Sequence, residues 1–207
     1  HTLDTGSDSV SNTLTFSDQN AASGTRTVSV RAQEFGDNIQ SAAATGTYDV
    51  VYPQKRYLRF RGVDSSGNNV SGRIGFTEIR LYSDSGQSGT EYPTTNLTSN
   101  TSETGIVVSQ GHLFSSTYDA WKGVDGSIST IAWLLGASAA NNWWQIHFES
   151  GTYSTTPIIK SMKVRNFNST DADFFKIQGS DTGDFSGEET DFGIFEITAK
   201  DVYLNFG

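Results

Sequence analysis

Apolar residues in this chain recur at every second position wherever they recur at all. Val28, Val30 and Ala32 alternate with Thr27, Ser29 and Arg31; Leu58 and Phe60 alternate with Arg59 and Arg61; Met162 and Val164 alternate with Lys163 and Arg165. A period of two puts one set of side chains on a buried face and the other on a wet face, which is the pattern of a strand. Between these runs lie turn clusters, Asp64–Asn69 (DSSGNN), Ser83–Gly89 (SDSGQSG) and Ser180–Glu189 (SDTGDFSGEE). Their Gly, Asp, Asn and Ser residues reverse the chain cheaply. No long stretch carries helical period with helix caps. The expected fold class is all-β, with two packed sheets.

The 207 residues suit one or two domains with a substantial core. There is no cysteine, so neither disulfides nor a thiolate metal site is available. The formal charge of −9 argues against binding a phosphate backbone, which rests on clustered Lys and Arg. No run approaches the roughly 20 apolar residues of a membrane-spanning helix. His1 begins the sequence with no charged-then-apolar leader behind it, which reads as a processed or internal start.

A boundary is expected at Val51–Lys55 (VYPQK), where a strand-like run meets a proline. Before it, Leu14–Phe16, Thr25–Ala32 and Thr47–Val51 read as strands. The segment Gly24–Ser41 resembles the closing strands of a fibronectin type III or immunoglobulin-like domain. Such sandwiches need roughly 100 residues, so residues 1–52 are expected to be the C-terminal part of one.

The second segment carries a chain of motifs. Tyr118–Trp133 reads YDAWKGVDGSISTIAW, Asn142–Phe148 reads NWWQIHF, and Phe174–Asp181 reads FFKIQGSD. Upstream stand YLRF at Tyr57–Phe60 and FTEIRLY at Phe76–Tyr82. Together, through Asp125, Gly126, Thr130, Trp133, Trp144, Gln145, Ile146, Phe148, Gly179, Ser180, Asp181 and Gly183, they resemble discoidin-type, galactose-binding-like domains. The order, with the Glu-Ile-x-Leu strand before the Asp-Gly turn, is similar to versions in bacteriophage and bacterial surface proteins. The resemblance covers roughly residues 53–207 and implies a jelly-roll β-sandwich. Two departures stand out: His147 occupies the family's acidic position, and two residues rather than one separate Thr130 from Trp133.

The resemblance implies a structural calcium held by Asp125, Ser127, Thr130 and Glu78. Ca²⁺ takes six to eight hard oxygens and accepts carbonyl-rich loops; an ordinary turn with Asp125 bonding its own backbone is the competing reading. For sugar binding, the candidates are Trp121 and Tyr118 as stacking rings, with Asn141, Asn142, His112, Arg165 and Asn168 as polar partners on loops. Packing or solvation is the competing account for each. Trp144, Ile146 and Phe148 share one strand face and read as core; Trp143 and His147 share the other.

Catalytic constellations are scarce. There is no Gly-x-Ser-x-Gly elbow, His-Glu-x-x-His or phosphate loop, and His1, His112 and His147 are scattered. Glu188 with Glu189, or Asp171 with Asp173, are acidic pairs of the kind glycosidases use, but they stand in turn-rich loops, where solvated charge is the simpler account. Sequons at Asn69, Asn96, Asn100 and Asn168 are what an Asn, Ser and Thr-rich chain produces by chance.

The resulting expectation is a carbohydrate-binding, adhesive, non-catalytic module of a virion surface appendage such as a tail, fibre or capsid decoration. Its partners would be cell-surface glycan and neighbouring copies or virion proteins, in an extracellular or virion-surface setting. The alternatives are an accessory module of a secreted bacterial adhesin or polysaccharide-degrading enzyme, and a purely structural assembly protein.

Overall fold

The structure is a computed structural model that describes residues 24–30 and 44–50 through their backbone, and 54–206 apart from 72–73, 114, 135–138 and 169–171. The chain divides into two units, His1–Val51 and Tyr52–Gly207. In the first, β1 (Gly24–Val30) pairs antiparallel with β2 (Ala44–Val50), from Gly24 opposite Val50 to Val30 opposite Ala44. The expected strands Thr25–Ala32 and Thr47–Val51 overlap these two. Leu14–Phe16 and residues 31–41 lie outside the described residues.

The second unit is a β-sandwich. Its strands are β3 (Tyr57–Val63), β4 (Ile74–Tyr82), β5 (Glu91–Tyr92), β6 (Ile106–Gln110), β7 (Ala132–Leu134), β8 (Trp143–Phe148), β9 (Ser161–Asn166), β10 (Phe174–Ser180), β11 (Thr190–Glu196) and β12 (Tyr203–Phe206). One antiparallel sheet runs β11-β10-β3-β8-β6. The other runs β12-β9-β4-β5, with β7 also pairing β4. Among the described residues helix is confined to short 3₁₀ turns, among them Ser116–Tyr118 and Ala120–Gly123.

Period two explains which side chains meet between the sheets. Leu58 and Phe60 of β3, Trp144, Ile146 and Phe148 of β8, and Phe175 and Ile177 of β10 point inward from the first sheet. Ile74, Phe76, Ile79 and Leu81 of β4, with Met162 and Val164 of β9, answer them from the second. Ring contacts cross the interface: Phe60 and Phe175 meet Phe76 edge-on at centroid distances of 6.1 and 6.2 Å. These are favourable aromatic geometries within a large buried apolar area.

The alternation on β4 is broken once. The register with β9 shifts between Phe76 and Glu78, so the inward set steps from Phe76 to Ile79. An extra residue of this kind re-aims its neighbours. Here it sends Glu78 away from the apolar core and toward the 125–130 loop.

The outward face of the first sheet is polar and yet covered. Arg59 stands opposite Gln145 and Gln178; Arg61 stands opposite Trp143 and Lys176; Tyr57 stands opposite His147. Arg59, Gln145 and Gln178 are all buried, because the longer side chains of neighbouring rows and the β10–β11 loop lie across them.

Candidate functional site

The connection between β6 and β8 gathers several of the candidate sugar-binding residues. Gln110, at the end of β6, donates from Nε2 to the carbonyls of His112 and Tyr118, both at 3.2 Å. One amide therefore closes the loop on itself. Gly111 donates to the Trp143 carbonyl at 2.9 Å, and a Cβ at Gly111 would collide with the Asn141 carbonyl and the Trp143 indole. Only a glycine permits that approach. His112, Tyr118, Asn141 and Trp143 are thus brought to one edge of the first sheet. Two buried polar atoms there, Gln110 Oε1 and His112 Nδ1, have no hydrogen-bond partner. Such atoms carry a desolvation cost.

The other candidates are placed differently. Trp121 opens the 3₁₀ turn Ala120–Gly123 with Ala120 and is half-buried against the core. Its amide donates to Asn100 Oδ1 at 2.9 Å, and Asn100 Nδ2 donates to Asp119 Oδ1 at 2.8 Å. Lys122 Nζ stands 5.4 Å from the Trp121 ring, within cation–π range. Asn142 is fully buried and donates to the Val70 carbonyl at 2.9 Å, so its amide serves packing. Arg165 lies on β9 of the second sheet, 3.0 Å from Thr77 Oγ1 and 3.4 Å from Asp201 Oδ1. Asn168 follows β9 and is exposed.

The 125–130 loop has the internal bonding of a tight Asp turn. Asp125 Oδ1 accepts from the Ser127 amide at 2.8 Å, and Thr130 Oγ1 lies 2.7 Å from Asp125 Oδ2 and 3.0 Å from the Ser127 carbonyl. Beneath it sits Glu78, fully buried. Arg80 Nε is 2.8 Å from Glu78 Oε1, close enough for an ion pair, and the Gly126 amide approaches the carboxylate from the loop, but neither oxygen accepts a well-aligned hydrogen bond. The Arg80 guanidinium also serves Glu91 Oε1 at 2.6 Å and Asn96 Oδ1 at 2.9 Å. Burial outweighs the attraction of Arg80, Asp125 adds repulsion, and the Glu78 carboxyl is pushed up to about 8. Among the described residues no group of three or more His, Asp or Glu gathers at one point. A cation here would draw on backbone carbonyls beside Glu78 and Asp125.

The acidic pairs are bonded into their own loops. Glu188 accepts from the hydroxyls of Ser180 and Thr182, and these bonds hold its carboxyl below the usual range. Glu189 Oε2 accepts from the Gly187 amide at 2.7 Å. Asp173 pairs with Lys200 at 3.4 Å; Asp171 lies outside the described residues.

One feature of the outward face is invisible in any single segment. The Arg59 guanidinium carbon is 4.2 Å from the Trp143 ring centroid and 3.6 Å from that of Phe185, and its Nε and Nη2 reach Gln145 Oε1 at 3.2 and 3.0 Å. The alternation of Arg59 with Leu58 and Phe60 signals an outward arginine, but the pairing with Trp143 depends on strand register and that with Phe185 on loop folding. His147, stacked on Tyr57 at 4.0 Å with an interplanar angle of 4°, is held below the ordinary imidazole range by burial.

Searches against family models, curated proteins and solved structures find no match to this chain.

Proposed function

We propose that the second unit is a non-catalytic carbohydrate-binding module, discoidin-like with a jelly-roll course, and that the first unit is the end of a fibronectin- or immunoglobulin-like sandwich. The observation that carries the binding reading is the edge cluster of His112, Tyr118, Asn141 and Trp143, with its two unpartnered buried polar atoms. Rings offer apolar faces to a pyranose, and a few fixed polar groups orient its hydroxyls. Trp121, with Lys122 beside its ring, extends the same loop; Arg165 is held on the second sheet by Thr77 and Asp201, and Asn168 follows the same strand. The setting is an extracellular or virion-surface appendage, supported by the motif order and the absence of cysteine. An accessory module of a secreted adhesin or polysaccharide-degrading enzyme, or a structural assembly role, are the readings it competes with.

A small polar site of this kind binds weakly as one copy, because little area is buried and polar groups must be desolvated. Display of many copies raises avidity by about 10² to 10⁴. On a glycan array the chain coupled densely to beads should bind where the free monomer is faint, and Tyr118→Ala and Trp121→Ala should each weaken capture with melting temperature preserved for Tyr118→Ala. Binding to no glycan by the dense display would leave the assembly role in its place.

Calcium belongs to the same proposal. The residues that would hold it are Glu78, Asp125, Ser127 and Thr130, and the fit rests on the two carboxylate oxygens of Glu78 that lack aligned donors. Bound calcium would supply only charge and rigidity to the loop. At 100-fold excess over its dissociation constant it should add about 2.7 kcal/mol of stability. Melting in calcium and in chelator, for the parent and Asp125→Ala, checks this; identical curves in all four samples would remove the metal.

A further inference from the structure

The outward face of the first sheet bears three cations in two adjacent rows. Arg59 and Arg61 are two residues apart on β3 and point the same way, and Lys176 stands opposite Arg61 on β10. Like charges so placed repel, and both guanidinium groups are held below the usual range, by burial first and, for Arg59, by Arg61 next. The neighbouring acids do not neutralise the two arginines at contact. Asp191 is taken by Gln178 Nε2 at 2.8 Å and lies 4.0 Å from Lys176 Nζ. Glu189 acts on both arginines from a distance, while its Oε2 is bonded to Gly187. Among the described residues no carboxylate lies within ion-pair distance of Arg59 or Arg61.

The hydrogen-bonding capacity of the patch is also incompletely used. Arg61 Nη2 donates to the Ala140 carbonyl at 2.5 Å, and its Nε is buried without an acceptor. Gln178, 3% exposed, has an unpartnered Oε1. Arg59, 9% exposed, is closed in by Trp143 and Phe185, so Arg61 is the arginine a ligand can reach. The patch is continuous with the sugar-binding edge. The Arg61 side chain holds the 3₁₀ turn Ala139–Asn141, and Trp143 faces Arg59 on one side and Gly111 on the other.

We infer that the saccharide bound at this edge carries a carboxylate, which the Arg61 guanidinium receives beside the Trp143 ring. This rests on the glycan-binding reading above. The directed N–H groups of a guanidinium suit a carboxylate better than a point charge does, and the buried Arg59 adds positive field, with Lys176 partly offset by Asp191 at 4.0 Å. A chain whose formal charge is −9 repels polyanions elsewhere on its surface, so the contact would be local and oriented.

The test uses the full chain coupled densely to beads, with polygalacturonate and its fully methyl-esterified form as probes. Capture of the acid form should exceed the ester by roughly tenfold, the effect of one charge-assisted contact, and the excess should shrink with added salt. Arg61→Gln should bring the acid form down to the level of the ester, and Arg61→Lys should retain part of the difference; melting curves check that both variants fold. Equal capture of acid and ester by the parent overturns the carboxylate and leaves the sugar reading intact. Preference for a sulfated dextran over polygalacturonate also overturns it. Capture of no glycan, charged or neutral, removes the glycan reading and this inference together.

Discussion

Trp144→Ala should lower the unfolding free energy by about 3 to 5 kcal/mol, the range for removing a large aromatic from a packed core. Trp144 is fully buried on β8, which is flanked by β3 and the edge strand β6 in the first sheet. Its ring meets Phe60 edge-on at 5.5 Å. Its indole N–H donates to the Ala120 carbonyl at 2.9 Å, which ties the 3₁₀ turn bearing Trp121 to the core. Truncation therefore opens a cavity and leaves a buried carbonyl without its donor. Trp144→Phe keeps most of the volume and loses the bond, so it should cost roughly 1 to 3 kcal/mol. Urea titrations with unchanged slope would measure both. A loss under about 1 kcal/mol for the alanine variant would contradict the packing described.

Without calcium, raising the pH from 4.5 to 8 should destabilise the second unit through Glu78. This carboxyl ionises near 4.5 when unfolded and is pushed up to about 8 when folded, so between those values the native state holds a proton that the unfolded state releases. Stability from this group is present in full below 4.5, falls through the window, and is lost above about 8. At about 1.4 kcal/mol per pH unit the whole effect is about 5 kcal/mol. His147 shifts downward and acts with the opposite sign, so the informative quantity is the difference between the parent and Glu78→Gln. The variant keeps the shape, leaves Arg80 with Glu91, and should be the more stable protein at pH 8 in chelator. With calcium bound the order should invert, because the ion offsets the burial of the carboxylate. A difference between the two proteins that does not vary with pH would show that Glu78 titrates normally.

The core was legible because it depends on parity alone. Leu58, Phe60, Trp144, Ile146, Phe148, Met162 and Val164 alternate with polar residues in the sequence, and all are buried between the sheets. The β4 strand was legible only in part. FTEIRLY reads as a strand, but nothing in it announces the irregularity between Phe76 and Glu78, which depends on the partner strand. Among the sugar-site candidates, loop position pointed to His112, Tyr118 and Asn141, which are brought to one edge. It also pointed to Asn142, which is fully buried. Adjacent asparagines have the same composition and opposite environments, and only the turn entering β8 separates them. Nothing in the sequence singles out Gln110, and Asn100 stands out only as a sequon, because a side chain that braces a loop has no motif.

Alternation and turn chemistry determined from the sequence alone that this is a β protein with apolar strand faces meeting in a core. These are local properties, carried by each residue and its nearest neighbours. Which outward residues meet was decided by the tertiary structure. Arg59 lies between Trp143 and Phe185, 84 and 126 positions away in the chain, and Glu78 lies under a loop 47 positions on. Strand order, register and loop closure set those encounters, and burial at the points where they occur turns ordinary charged side chains into the unusual groups of this protein.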